Sequence, residues 1–242
     1  MEQLLVTAHA GSENTPANSI ESIIKAFEIG AHICEIDVIS TKDGVPVLHH
    51  NHAIKSVDDE LFYINQINFS TIQLLLGANK VDYEVPRFDV LENYVKLLKI
   101  NLNIDLKDEE SIEPVVKLIK EWGIEDQVIF SGCTTERALI IKSCDPNLKS
   151  LYSVDDGLFE DNSLSDKEKY LQIEKAVIHA GCHGINMRHV YASKELVDYF
   201  KKKNIPVYIW TVEPGDNFWK YIEMGVFSIT TNHPKYLLEQ LY

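Results

Sequence analysis

The residues best suited to chemistry are two carboxylates placed two residues apart in an apolar run. Glu35 and Asp37 share one face if this run is a β-strand, because residues i and i+2 of a strand point the same way. Two like charges on one face are costly unless a cation compensates them. Asp105, in a later strand-like run, adds a third carboxylate, and three oxygen ligands without a thiolate suit Mg²⁺ or Ca²⁺. The alternative is that Asp105 pairs with Lys107, which is also two residues away.

Two histidines are expected close to these carboxylates. The turn sequence at residues 41–44 predicts a β-hairpin whose return arm ends at His50, beside Glu35 and Asp37. His9 ends the preceding strand. Two histidines near a carboxylate-bound cation form an acid–base pair of the kind that phosphoester cleavage uses. The chain has nine histidines, so any one of them could instead be an ordinary core or surface group.

The elements that must position these side chains follow a regular alternation of strand and helix patterns. Strand-like runs that could lie parallel cover residues 4–9, 33–39, 102–106, 128–131, 148–154, 184–187, 206–212 and 228–231. Eight such strands separated by helices predict an α/β fold, a (β/α)8 TIM barrel, whose active site lies at the C-terminal ends of the strands. A doubly wound open sheet is the alternative, but the turn after the first strand lacks its G-x-G-x-x-G sequence.

Residues 51–101 interrupt this alternation. We expect a small insertion at about residues 51–85, after the hairpin and over one barrel mouth, because the segment is too short for a core of its own. The rest of residues 1–242 is expected to form a single barrel domain. Asn18 and Glu21 have the spacing of a capping box, which predicts Asn18 as the N-cap of the first helix.

Composition excludes several classes of partner. The formal net charge of −14 argues against binding the nucleic-acid backbone and against stable association with an anionic membrane surface. No apolar run reaches the roughly 18–20 residues that span a bilayer. The first residues lack a signal-peptide pattern and the four cysteines show no paired spacing, so we expect a cytoplasmic protein with reduced thiols. The sequence does not indicate an oligomeric state.

The chain resembles the glycerophosphodiester phosphodiesterases along nearly its whole length. The matching stretches are His9-Ala10-Gly11, Pro16-Ala17-Asn18-Ser19, Gly30-Ala31, Glu35-Ile36-Asp37-Val38, residues 41–47, His50-Asn51, Val85-Pro86, residues 103–107, residues 128–131, Trp210-Thr211-Val212 and residues 231–234. The resemblance implies a barrel that hydrolyses glycerophosphodiesters to glycerol 3-phosphate and an alcohol, with a small phosphodiester as substrate. It also implies a divalent cation, Mg²⁺ or Ca²⁺, with Mn²⁺ as a further option.

The resemblance also implies a role for each matching position. It places metal ligands at Glu35, Asp37 and Asp105, acid–base roles at His9 and His50, a phosphate contact at Lys107 and a glycerol pocket at Trp210. Asp105 stands where the family has a glutamate, and its side chain is one methylene shorter.

Three positions depart from the family pattern. Ala10 replaces an arginine, Ala17 a glutamate and Asn51 an aspartate, each beside the expected phosphate site. Losing one charged donor to a transition-state oxyanion typically costs about 10²–10³ in rate. Glu13 could reach the space beside Ala17, and Arg188 could supply the missing guanidinium as a substrate-binding residue; an exposed loop glutamate and a surface salt bridge are the alternatives.

Three functions are compatible with these residues. The first is an active metal-dependent phosphodiesterase. The second is a non-catalytic or altered-specificity relative that binds a phosphorylated ligand, which the three departures motivate. The third is another phosphodiester-cleaving barrel, such as a phosphatidylinositol-type phospholipase C or a sphingomyelinase D relative, for which an acidic chain without membrane-binding aromatics is less suited.

Overall fold

The computed structural model describes residues 4–241 of the chain. The strands are β1 (Leu5–Ala8), β2 (Ile33–Ser40), β3 (Pro46–Leu48), β4 (Ala53–Lys55), β5 (Leu61–Tyr63), β6 (Asn101–Leu106), β7 (Val128–Cys133), β8 (Lys149–Ser153), β9 (Gly184–Arg188), β10 (Val207–Trp210) and β11 (Ser228–Thr231). The α-helices are α1 (Ile20–Glu28), α2 (Phe69–Gly77), α3 (Glu92–Leu98), α4 (Ile112–Trp122), α5 (Thr135–Cys144), α6 (Asp156–Glu160), α7 (Asp166–Ala180), α8 (Lys194–Lys201), α9 (Phe218–Met224) and α10 (Pro234–Leu241).

Within residues 4–241, eight parallel strands close into a central barrel. The strand order is β1-β11-β10-β9-β8-β7-β6-β2, and the parallel pairing of β1 with β2 closes the ring. Helices follow most of these strands and cover the barrel, as the alternation predicts. The α/β class and the (β/α)8 barrel are therefore confirmed.

The barrel interior holds an apolar cluster near the strand starts and, on β2, a polar layer further along the strand. Ile33, Ile129, Leu151 and Tyr208 form a buried cluster whose members all come from barrel strands, so it fills the barrel near the strand starts. Because side chains alternate, the next inward positions of β2 after Ile33 are Glu35 and Asp37. The outward positions pack against the helices in two larger clusters. The polar layer therefore lies toward the C-terminal ends of the strands.

The hairpin and the insertion share a small apolar cluster. The last residues of β2 also pair antiparallel with β3, where Val38 faces Leu48 and Ile39 faces Val47. Cluster members from the insertion pack against that hairpin; they are Ile54, Ile64, Ile72, Val81 and Val85. The insertion thus buries these five side chains on the hairpin, while the single-domain assignment for residues 1–242 stays a prediction.

The predicted cap of the first helix is wrong. The N-cap of α1 is Ser19, whose hydroxyl accepts a hydrogen bond from the Ser22 N–H at 3.1 Å. Asn18 instead adopts a positive φ of 58° and directs its amide to Asp37. An asparagine side chain can cap a helix or bind a distant group, and here the Asn18 side chain binds the buried carboxylate of Asp37.

No helix among residues 4–241 is long and apolar enough to cross a membrane.

Gly132 allows β7 to pass close behind Asp105. It lies in an irregular part of β7, where the register with β8 shifts between Phe130 and Cys133, and its φ is +65°. A Cβ at this position would lie 2.1 Å from Oδ1 of Asp105 and 2.4 Å from the Leu106 carbonyl oxygen. Only glycine fits both the backbone conformation and this close approach.

Gly132→Ala should therefore destabilise the fold and displace Asp105. We expect a loss of about 2–4 kcal/mol in the free energy of unfolding, measured by urea denaturation, because steric overlap adds to left-handed strain. Gly123→Ala is the matched control, since Gly123 has a φ of +68° with nothing within 4 Å of the added Cβ. It should cost about 1 kcal/mol. Equal losses in the two variants would contradict the steric account.

Candidate active site

Three carboxylates meet at the C-terminal ends of two neighbouring barrel strands. Glu35 and Asp37 come from β2 and Asp105 from β6, and Asp37 and Asp105 are paired in register. One oxygen of each carboxylate lies within 4.8 Å of the other two. Glu35 and Asp37 are buried and Asp105 is partly buried. The structure therefore brings the three predicted metal ligands together, and we refer to them as the carboxylate cluster.

Lys107 contacts the carboxylate cluster directly. Its Nζ lies 2.7 Å from Oδ1 of Asp37 and 2.9 Å from Oδ2 of Asp105. The pairing of Asp105 with Lys107 therefore occurs together with the cluster rather than instead of it. Three carboxylates and one ammonium leave a formal charge of −2, which matches the charge of one divalent cation.

Burial and mutual repulsion perturb the acid–base properties of the cluster. Burial, followed by the charges of Asp37 and Asp105, raises the pKa of Glu35 well above its usual value. Burial also raises the pKa of Asp105, although Lys107 opposes this effect. The pKa of Lys107 is raised as well, because the attraction of Asp105 and Asp37 outweighs the effect of its burial. A bound cation would relieve the same repulsion.

Hydrogen bonds from the chain segment before α1 orient two of the carboxylates. The Ala10 N–H donates to Oε2 of Glu35 at 2.8 Å. Nδ2 of Asn18 donates to Oδ2 of Asp37 at 2.8 Å, and the Asp37 N–H donates to Oδ1 of Asn18 at 2.8 Å. Asn18 is therefore a site residue that the sequence interpretation assigned to helix capping.

His9 lies beside the carboxylate cluster. Its Nε2 is 3.9 Å from Oε2 of Glu35, and its Nδ1 is 2.7 Å from Oδ1 of Asn232. Asn232 follows β11, the strand next to β1 in the barrel. The sequence pattern includes Asn232 only as part of the matching stretch 231–234 and gives no reason for the contact with His9.

His50 and His49 occupy different environments. His50 is exposed, and its Nδ1 lies 3.0 Å from Oδ1 of Asn51. His49 is buried, with its ring stacked on Tyr83 and its Nδ1 2.8 Å from the Asn51 carbonyl oxygen. Of the two histidines, only His50 has a solvent-exposed side chain.

Trp210 and Arg188 lie side by side at the barrel mouth. They are paired in register on β10 and β9, and the Trp210 side chain is 38% exposed. Nη1 of Arg188 contacts Oδ2 of Asp156 at 2.8 Å. Glu13 accepts a hydrogen bond from the Lys235 N–H at the start of α10. Both residues considered as replacements for the missing family side chains are thus engaged by other partners in the structure.

A cleft of about 1070 Å³ opens beside His50. It lies between the segment before α1 and the insertion, and its walls include Ala17, Asn51, Leu76 and Tyr83. This space adjoins the polar mouth of the barrel and is large enough for a small organic group.

Comparison with known proteins gives one consistent result. A sequence profile of the glycerophosphoryl diester phosphodiesterase family matches residues 9–236. A glycerophosphodiester phosphodiesterase of Caldanaerobacter subterraneus is 26% identical, over 97% of this chain and 96% of the relative. The human lysophospholipase D GDPD1 is 20% identical, over 100% of this chain and 88% of the relative.

Solved structures share the fold. A crystal structure of a protein described as a glycerophosphodiester phosphodiesterase from Galdieria sulphuraria superposes with a TM-score of 0.83 at 19% identity, covering 99% of this chain and 98% of that chain. An Oleispira antarctica phosphodiesterase, solved in complex with the product sn-glycerol-3-phosphate, gives a TM-score of 0.80 at 20% identity, covering 98% and 96%.

Removing the Lys107 ammonium should destabilise the fold, because the carboxylate cluster then loses its compensating positive charge. Without added divalent cation, we expect Lys107→Met to lower the free energy of unfolding by about 3–5 kcal/mol, because partly buried carboxylates lose their compensating charge. Lys25→Met is the control, since the Lys25 side chain is 42% exposed and its Nζ lies 3.7 Å from Oε2 of Glu28; it should cost less than about 1 kcal/mol. Chemical denaturation of both variants checks this, and similar small losses would show that Lys107 does not hold the cluster together.

Proposed function

The chain belongs to the glycerophosphoryl diester phosphodiesterase family, and on this premise we propose that it hydrolyses glycerophosphodiesters with a divalent cation held by Glu35, Asp37 and Asp105. The products are glycerol 3-phosphate and an alcohol. The observation that carries the proposal is the carboxylate cluster with Lys107, in which Oε2 of Glu35 lies 3.9 Å from Nε2 of His9, at the mouth of a family barrel.

The donor set fits a hard divalent cation. Three carboxylates offer only oxygen ligands, and together with Lys107 they leave a charge of −2, which suits Mg²⁺ or Ca²⁺ and also Mn²⁺. When bound, such a cation would stabilise the negative charge that develops on the phosphate oxygens in the transition state.

Lys107, His9 and His50 supply the charge and the proton transfers that the reaction needs besides the cation. Lys107 holds a second positive charge at the rim of the carboxylate cluster, where it can contact a phosphate oxygen. One of His9 and His50 takes a proton from the attacking hydroxyl, which belongs either to water or to the glycerol moiety. The other gives a proton to the oxygen of the departing alcohol.

The residues around the mouth bind the two halves of the substrate. Trp210 offers an exposed aromatic face for the glycerol carbons, and Arg188, its neighbour in register, brings a guanidinium to the same side. The cleft beside His50 provides space for the alcohol moiety. Asn51, although it lacks the charge of the family aspartate, still contacts the His50 ring.

Turnover should depend on the divalent cation. We expect hydrolysis of glycerophosphocholine, glycerophosphoethanolamine or an aryl phosphodiester with Mg²⁺, Mn²⁺ or Ca²⁺, and loss of activity with a chelator. Release of glycerol 3-phosphate or of the aryl alcohol measures it. No turnover with any of the three cations, together with tight binding of glycerol phosphate, would favour the non-catalytic alternative.

The acid–base role of His50 is tested by substitution. His50→Ala should reduce kcat by about 10²–10⁴, because general acid–base catalysis typically contributes that factor. His52→Ala removes a nearby exposed imidazole from the same loop and should leave kcat within about twofold of the original value. Unchanged activity in His50→Ala would remove His50 from the mechanism.

A further inference from the structure

A chain of hydrogen-bonded side chains leads from His9 across the barrel mouth. Nδ1 of His9 lies 2.7 Å from Oδ1 of Asn232, and Nδ2 of Asn232 lies 2.6 Å from Oε1 of Glu213. The three residues follow three consecutive barrel strands, β1, β11 and β10. Of the three, only His9 takes part in the proposed chemistry.

The chemistry of Glu213 fixes the direction of these hydrogen bonds. The amide NH₂ of Asn232 donates to the Glu213 carboxylate, so the carbonyl oxygen of Asn232 points to His9. A carbonyl oxygen only accepts, so Nδ1 of His9 must carry the hydrogen. In the neutral ring the lone pair is then on Nε2, the nitrogen that lies 3.9 Å from Oε2 of Glu35.

Glu213 and His9 are themselves held in place. The Glu213 N–H donates to Oδ2 of Asp216 at 2.8 Å, and Oε2 of Glu213 lies 3.3 Å from Nε2 of His233. The His9 N–H donates to the Thr231 carbonyl oxygen at 3.1 Å. The direction of these hydrogen bonds is therefore set by the Glu213 carboxylate, whose own position does not depend on His9.

We propose that Glu213 is a positioning residue for His9. Through Asn232 it keeps the hydrogen on Nδ1 of His9, so that Nε2 is the nitrogen that exchanges protons beside the carboxylate cluster. The catalytic part of this inference rests on the proposed function, since it assumes that His9 acts in the hydrolysis. The orientation part rests on the hydrogen bonds alone.

Glu213→Gln tests the proposal with little change in shape. A glutamine amide can donate as well as accept, so Asn232 loses its fixed orientation and both tautomers of His9 become accessible. Asn232→Asp is the second variant, because a carboxylate there still accepts from Nδ1 of His9 and should keep the tautomer. Glu223→Gln, the same substitution at an exposed position of α9, is the control.

The readout is the pair of ¹⁵N shifts of the His9 ring in the full-length protein, assigned with His9→Gln and recorded where the ring is neutral. We expect the Nδ1–H tautomer in the unmodified protein, Asn232→Asp and Glu223→Gln, and a mixture in Glu213→Gln. Glu213→Gln should also lower kcat by roughly 10- to 100-fold with KM within about twofold, the range typical of lost orienting partners.

Two results would overturn the inference. One is an Nε2–H tautomer in the unmodified protein, and the other is an unchanged tautomer in Glu213→Gln. If the tautomer responds as expected but no diester is hydrolysed, Glu213 still orients His9 while the proposed function fails. If diesters are hydrolysed and the tautomer does not respond, only the role of Glu213 fails.

Discussion

The site depends on the cost of bringing three carboxylates together on two adjacent parallel strands. Burial and repulsion raise the pKa of Glu35 and of Asp105, so the cluster needs positive charge and hydrogen-bond donors around it. Lys107 supplies the charge, and Asn18 donates to Asp37. The remaining formal charge of −2 favours the binding of a divalent cation. In the proposed function, that cation is what lets a chain of net charge −14 bind an anionic phosphodiester at this one place.

A backbone N–H, as well as side chains, donates a hydrogen bond to the carboxylate cluster. The Ala10 N–H donates to Glu35, and any residue other than proline at this position offers the same donor. The absence of an arginine side chain at Ala10 therefore leaves the hydrogen bond to Glu35 in place. Gly132 has a similar supporting role, because it leaves room for Asp105 where a Cβ would overlap its carboxylate.

Much of the fold and of the cluster could be predicted from local pattern alone. The barrel follows from alternating strand and helix patterns, and the shared face of Glu35 and Asp37 follows from the two-residue period of a strand. The partners of Asn18 and Glu13 could not be predicted, because side chains in a loop choose among distant groups that only the closed barrel brings near. The irregular register of β7 and the contact between His9 and Asn232 depend in the same way on how strands far apart in sequence are aligned.

The most direct test of this account is a crystal structure of the protein with Mn²⁺ and glycerol 3-phosphate, using anomalous diffraction to locate the cation. The account predicts one anomalous peak at coordination distance, about 2.0–2.6 Å, from oxygens of Glu35, Asp37 and Asp105, with a phosphate oxygen beside it. A structure with glycerol 3-phosphate bound at the mouth, no anomalous peak at the cluster and Lys107 as its sole cation would contradict it.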